Sequence, residues 1–156
     1  MSPQLYKEGD KIEGNGKDKI HTAIEDGLEQ FKPSDFLSRR NAVFVHSHTD
    51  FSQSGLMCET GHIYQVTLAD YIQKHDLTWL KPLQLAQLKI KYNGRAGMMK
   101  YPDWSESLLK ECAHNYWHGT SSDNPNWEYL SPCMVVIKKL SNTMVAPLET
   151  RGGWKP

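Results

Sequence analysis

The stretch DWSESLLKECAHNYWHGTSSDNPNWEYLSPCMVVIKKL, residues 103–140, decides how the rest of the chain is read. It divides into an amphipathic helix, a polar loop and an apolar strand. Leu108, Leu109, Cys112, Ala113, Tyr116 and Trp117 recur at helical spacing and make one stripe, predicting a helix over Ser105–Trp117. Asp103 and Glu106 stand three apart and suit a capping box at its start. Gly119 falls where a left-handed stop would end it. His118–Asn126 is rich in Gly, Thr, Ser, Asp, Asn and Pro, which predicts an exposed, flexible loop. Cys133-Met134-Val135-Val136-Ile137 is the most apolar run and is expected to be a central strand. Glu128 is the anomaly. It lies between two aromatic residues, just before that run, and is expected to face a cleft.

Working outward, the chain alternates helix and strand signals. Ile20, Ile24, Leu28 and Phe31 share a face, which predicts a helix over Lys17–Phe31, preceded by a turn at Asn15-Gly16. Ala42–His46 is a strand by composition, and His62–Leu68 alternates like one. Leu5-Tyr6 reads as a first strand, Ala69–His75 as a short helix, and Lys89-Ile90-Lys91-Tyr92 as a strand. Leu77–Leu88 fits neither period cleanly. Phe51–Gly61 reads as loop. The sum is an α+β fold in one domain, residues 1–140, with a C-terminal tail over 141–156.

Composition narrows the function classes. The 156 residues suit one domain with a real core. Eighteen basic and eighteen acidic residues give no net charge, so no strong field draws the chain to nucleic acid or an anionic membrane. A mean hydropathy of −0.62 and the lack of a long apolar run argue against a membrane span. The first residues do not read as a signal peptide. Cys58, Cys112 and Cys133 form no CxxC pair. Cys112 and Cys133, in apolar surroundings, read as core thiols in a reducing cytoplasm.

Three constellations could carry chemistry. Arg39 and Arg40 precede a strand, and a lone Glu128 opens another. The arginines could grip an anionic pyrophosphate, and Glu128 could stabilise a developing cation. Tyr6, Tyr116 and Trp117 would offer ring faces for a base. Alternatively, these are ordinary surface charges and core rings. A second set is histidine: His46, His48 and Asp50 alternate on an extended segment, and His114 and His118 stand one helical turn apart. Their spacing is compatible with a divalent metal but carries no metal signature, so no metal ligands are assigned. Third, Tyr92, Tyr101, Trp104 and Trp154 would suit the interface of a non-catalytic binding or inhibitor protein.

Arg40-Asn-Ala-Val-Phe-Val45, with Tyr116-Trp117-x-Gly119 and Trp127-Glu128-Tyr129-Leu130-x-Pro132, resembles the ADP-ribosyltransferase superfamily. The likeness is to its small bacterial and phage branches, including DNA-modifying toxins of the DarT type. It spans roughly residues 5–140. It implies a split antiparallel sheet with flanking helices, and NAD as the substrate. It also implies transfer of ADP-ribose to a host protein or nucleic acid. By this resemblance Glu128 is catalytic, and Arg40 grips NAD, with Arg39 as the alternative register. Tyr6, Lys7, Tyr116 and Trp117 would line the NAD site. His118, Asp123 and Asn126 would read the acceptor. Two features depart from the family: Lys7 stands where His or Arg is usual, and no Ser-Thr-Ser strand is evident, although Ser47, Thr49 and Ser52 lie nearby.

Overall fold

A computed structural model describes residues 5–14, 23–46, 60–93 and 95–144. Among these residues the fold is mixed α+β, with three helices and two three-stranded antiparallel sheets. The first sheet joins β1 (Lys11–Glu13), β6 (Cys133–Met144) and β3 (Thr60–Leu68), with β6 in the centre. The second joins β2 (Val43–His46), β5 (Trp127–Ser131) and β4 (Gln73–Asp76), with β5 in the centre. Pro132 alone separates β5 from β6, so the chain passes from one sheet's middle to the other's with no loop. Proline suits that corner because it cannot donate to a ladder.

The helices are α1 (Ala23–Gln30), α2 (Lys81–Lys91) and α3 (Glu106–Trp117). Ser105 caps α3, its hydroxyl accepting from Leu108 N at 3.1 Å. The capping box expected from Asp103 and Glu106 does not form; Asp103 instead pairs with Lys89 at 2.7 Å. At the other end Gly119 has φ +63°, its N–H reaches Tyr116 O, and Thr120 N reaches Asn115 O. That is a Schellman stop, as the glycine implies. The stripe of α3 is buried at Leu109, Cys112, Ala113, Tyr116 and Trp117. It packs with Ile24 and Leu28 of α1, Leu80, Leu83, and Leu130 of β5. Gly27 lets α1 come close: a Cβ there would lie 2.5 Å from a Leu109 methyl.

Several expectations change. Leu5-Tyr6 is not a strand; the turn at Gly9 (φ +86°) delays pairing until Lys11. Ala69–His75 is not a helix. Gln73–Asp76 is an edge strand whose buried residues are polar, so no apolar period marks it. Lys89–Lys91 ends α2 rather than forming a strand, with Tyr92 as its C-cap. The apolar run at Cys133 is a central strand, but Val135 and Ile137 are exposed while Val136 is buried, so one face is open. β6 runs on to Met144, past the expected start of the tail. The readings at Asn15-Gly16, residues 17–22, 47–59 and 145–156 lie outside the described residues.

Candidate functional site

Glu128 is the second residue of β5, the middle strand of the second sheet. Its neighbours in register are His46 on β2 and His75 on β4. Directly opposed residues on antiparallel strands project from the same face. For Glu128 and His75 that face is the buried one, 2 % and 1 % exposed. Glu128 therefore does not open onto a cleft; it is sealed between sheet and helices.

Two groups bond to it, and three more hold those two. Arg39 stands in a short 3-10 helix, Arg39–Asn41, that leads into β2 and is capped by the Ser38 hydroxyl. Its Nη1 donates to Glu128 Oε1 and to the Tyr116 hydroxyl, and its Nε donates to Glu25 Oε2 at 2.9 Å. Tyr116, on the buried face of α3, donates its own hydroxyl proton to Glu128 Oε1. The guanidinium also lies over the rings of Phe44 at 4.8 Å and Tyr116 at 5.3 Å, a cation–π arrangement. His75 stacks on Tyr116, ring centres 4.5 Å apart, and its Nδ1 lies 2.8 Å from Tyr116 O.

Burial works against the charge on Arg39, but Glu128, Tyr116 and Glu25 outweigh it and raise its pKa, so the guanidinium stays charged. Burial pushes the Tyr116 hydroxyl well up, so it remains a donor. Burial, with the nearby Arg39, lowers His75 to about 4. At neutral pH His75 is an uncharged imidazole. Two carboxylates thus share one guanidinium, with no second cation supplied by His75.

The structure brings Arg39, Tyr116 and Glu128 together and leaves the other expected residues apart. Arg40 pairs with the exposed Asp26, and its Nε is buried without a partner. Tyr6 and Lys7 lie outside the strands, beside the other sheet: Tyr6 packs edge-on against Tyr64 of β3 at 5.7 Å, and Lys7 N donates to Asp10. Trp117 offers no free ring. It is 1 % exposed, donates to Leu28 O at 2.8 Å and sits edge-on to His75. Glu25 and His75 carry no sequence motif. Only Glu25's place in the first turn of α1, one residue before Asp26, hints that both acids face the Arg39-Arg40 pair.

The loop before Glu128 is not loose. Asp76 is fully buried, and its carboxylate accepts from Thr78 N, Ser122 N and Asn126 N, each at 2.9 Å. Trp79 Nε1 donates to Thr120 O, and Thr78 Oγ1 to Asn124 O. Burial works against the Asp76 charge, but these hydrogen bonds prevail and lower its pKa.

Among the described residues no three His, Cys, Asp or Glu are arranged to hold a metal ion. His114 and His118 stack at 4.1 Å, and His118 Nδ1 bonds His114 O; His48 and Asp50 lie outside the described residues. Cys112 is buried, which pushes its thiol up to about 11, whereas Cys133 is only half-buried. A groove of about 360 Å³ between α2 and the start of α3, lined by Ala86, Lys89 and Trp104 among others, does not touch the Arg39–Glu128 cluster. No helix of the described residues is long and apolar enough to cross a membrane. No family model, curated protein or solved structure matches this chain.

Proposed function

We propose that the protein is an NAD-dependent mono-ADP-ribosyltransferase that modifies a host macromolecule in the cytoplasm. The observation that carries this reading is the cluster itself: a glutamate on a central strand, held by an arginine and a tyrosine, with a second carboxylate beside it. Breaking the bond between nicotinamide and ribose puts positive charge on the sugar. A carboxylate already fixed in a water-poor site favours that charge more than it favours the ground state. Glu128 is 2 % exposed, so this reading requires the cluster to open for the sugar to reach it, with Glu25 still bonded to Arg39 when Glu128 turns away.

The two ends of NAD suit different residues. Arg39 already donates to Glu25, Tyr116 and Glu128, so it is poorly placed to take a pyrophosphate as well. Arg40 is better suited, because its Nε has no partner and its carboxylate partner Asp26 is 60 % exposed. Arg40 is therefore assigned to the pyrophosphate and Glu128 to the glycosidic end. The pinned loop over residues 118–126, with exposed His118 and Asp123, is assigned to acceptor choice.

The burial of Glu128 favours one competing reading, a non-catalytic binding protein in which the cluster only fastens helix to sheet. One experiment separates them. Labelled NAD is incubated with the protein and cell lysate, and both the labelled macromolecule and released nicotinamide are followed. The transferase reading expects label and nicotinamide from wild type and neither from Glu128→Gln. No label and no nicotinamide from wild type would overturn it.

A further inference from the structure

Net neutrality hides a local excess of charge. Between Leu77 and Pro102 stand Lys81, Lys89, Lys91, Arg95 and Lys100 and no acidic residue, while the rest of the chain carries thirteen basic residues against eighteen acidic ones. Lys81 opens α2; the other four crowd into residues 89–100. The structure gathers that stretch into one compact turn. Tyr92 N returns to Leu88 O as α2 ends, Arg95 N reaches Tyr92 O, Met98 N reaches Arg95 O, and Tyr101 N reaches Met98 O. Lys89 Nζ donates to Tyr101 O at 3.1 Å, so the two ends of the stretch meet. The buried Met98 anchors it from inside. Ile90 and Lys91 follow one end of that closure, and Met99 and Lys100 precede the other. Each lies within two residues of it, so the four stand close together.

Lys89 is occupied, paired with Asp103 at the rim. Lys91, Arg95 and Lys100 are exposed, and no described acid pairs with them. Beside them Ile90 and Met99 are each 64 % exposed, and Tyr92 is 39 % exposed. A single bare apolar residue is ordinary. Two aliphatic side chains bared together among three cations suit a surface that lies on anionic lipid: the cations meet head groups and the aliphatics enter the acyl boundary. Single-stranded nucleic acid, the other common polyanion, stacks its bases on open rings. Here Lys91 Nζ lies over Tyr92 at 5.7 Å and Lys100 Nζ over Tyr101 at 5.6 Å, and Ile90 and Met99 offer a phosphate chain nothing.

We propose that the surface formed by Ile90, Lys91, Tyr92, Arg95, Met99 and Lys100 docks the protein on an anionic lipid membrane. The contact is peripheral. Near such a surface each cation is worth about fivefold in partitioning, so three give about a hundredfold. The acidic excess elsewhere in the chain is repelled by the same lipid, so charge also decides which side faces it. The surface shares no residue with the Arg39–Glu128 cluster and does not depend on the transferase reading.

The test is co-sedimentation of the full chain with vesicles of phosphatidylcholine alone, and of equal parts phosphatidylcholine and phosphatidylserine. The chain should bind the mixed vesicles and not the neutral ones. Raised salt should weaken that binding, a check on the charges that needs no substitution. Lys91→Gln, Arg95→Gln and Lys100→Gln together should weaken it about a hundredfold. Ile90→Ser with Met99→Ser should weaken it at least about tenfold, since two aliphatic side chains no longer leave water. All five positions are exposed, so urea midpoints should stay within the range of ordinary surface changes. Four results would overturn the proposal: no preference for the mixed vesicles; binding indifferent to salt or to loss of the three cations; an Ile90/Met99 double variant that binds as wild type does, which would leave plain adsorption of charge; or a single-stranded oligonucleotide that displaces the protein from the mixed vesicles and binds that double variant as tightly as wild type, which would assign the surface to nucleic acid.

Discussion

Glu128→Gln separates what the carboxylate does for folding from what it does for chemistry. The substitution keeps shape and one oxygen but removes the charge that Arg39 meets. Removing one partner from a buried ion pair costs about 3–5 kcal/mol when the other is left uncompensated. Here it is not, because Glu25 stays 2.9 Å from Arg39 Nε. The remaining losses are a charged hydrogen bond weakened to a neutral one at both Arg39 and Tyr116, and an amide NH₂ brought into a buried place. Together these amount to about 2–3 kcal/mol. At about 2–4 °C per kcal/mol for a chain of this size, the melting temperature should fall by about 4–12 °C.

Urea unfolding followed by tryptophan fluorescence measures this, since five tryptophans report on the core. The slope should not change; only the midpoint should move. A loss under about 0.5 kcal/mol, the level of ordinary surface substitutions, would mean that the Arg39–Glu128 contact is not buried in solution. Nicotinamide release is read on the same samples, below the unfolding transition. The transferase reading expects a loss of about a hundredfold or more from one such electrostatic contact. A destabilised variant that works as fast as wild type would refute catalysis by Glu128 and leave the cluster a structural fastening.

Arg39→Ala should cost more than Glu128→Gln, about 3–5 kcal/mol, because it leaves the buried Glu128 carboxylate without its cation and also removes the bond to Glu25. Arg40→Ala should stay within about 1 kcal/mol, the scale of an exposed pair, while on the transferase reading it weakens NAD binding; urea midpoints and NAD titration check both. For His75, the folded pKa of about 4 lies below the ordinary value of about 6.5, so the unfolded chain binds the extra proton between them. Stability should therefore fall as pH drops from about 6.5 towards 4, by up to about 1.4 kcal/mol per unit, and His75→Phe should remove that share of the slope in urea midpoints at pH 7, 6 and 5. Asp76→Asn leaves a backbone N–H of the 118–126 loop facing an amide NH₂, costing about 1–3 kcal/mol; hydrogen exchange at Ser122 and Asn126 should speed up. Because the folded pKa of Asp76 is depressed, its contribution is present above the ordinary aspartate value and lost as acid pH falls through the folded one.

The parts of the fold that rest on apolar period were legible. α3 has its stripe, its glycine stop and its bounds to within one residue, because propensity and packing agree there. β4 was not legible. Gln73, His75 and Asp76 are buried for their hydrogen bonds, and polar residues leave no period-two signal in hydropathy. For the same reason Glu128 could be singled out as an anomaly but not placed. A glutamate between aromatics signals a cleft only when no cation is near, and the cation that meets it stands 89 residues earlier in the chain. Arg39 and Arg40 are adjacent, so the sequence pattern alone does not say which turns inward. The 3-10 turn settles that, sending Arg39 to Glu128 and Arg40 to Asp26.

A buried Arg–Glu contact by itself argues for structure as readily as for catalysis. Glu25 and Glu128 both reach the same guanidinium, each little exposed, so the cluster tolerates loss of one carboxylate better than loss of Arg39, and stability measurements do not distinguish a fastening from a catalytic group. Rates do. On the transferase reading, a fixed carboxylate acts on a sugar that becomes cationic only as its bond to nicotinamide breaks, so Glu128→Gln slows nicotinamide release far beyond what its stability cost explains; on the fastening reading, folded variant and wild type differ in stability alone.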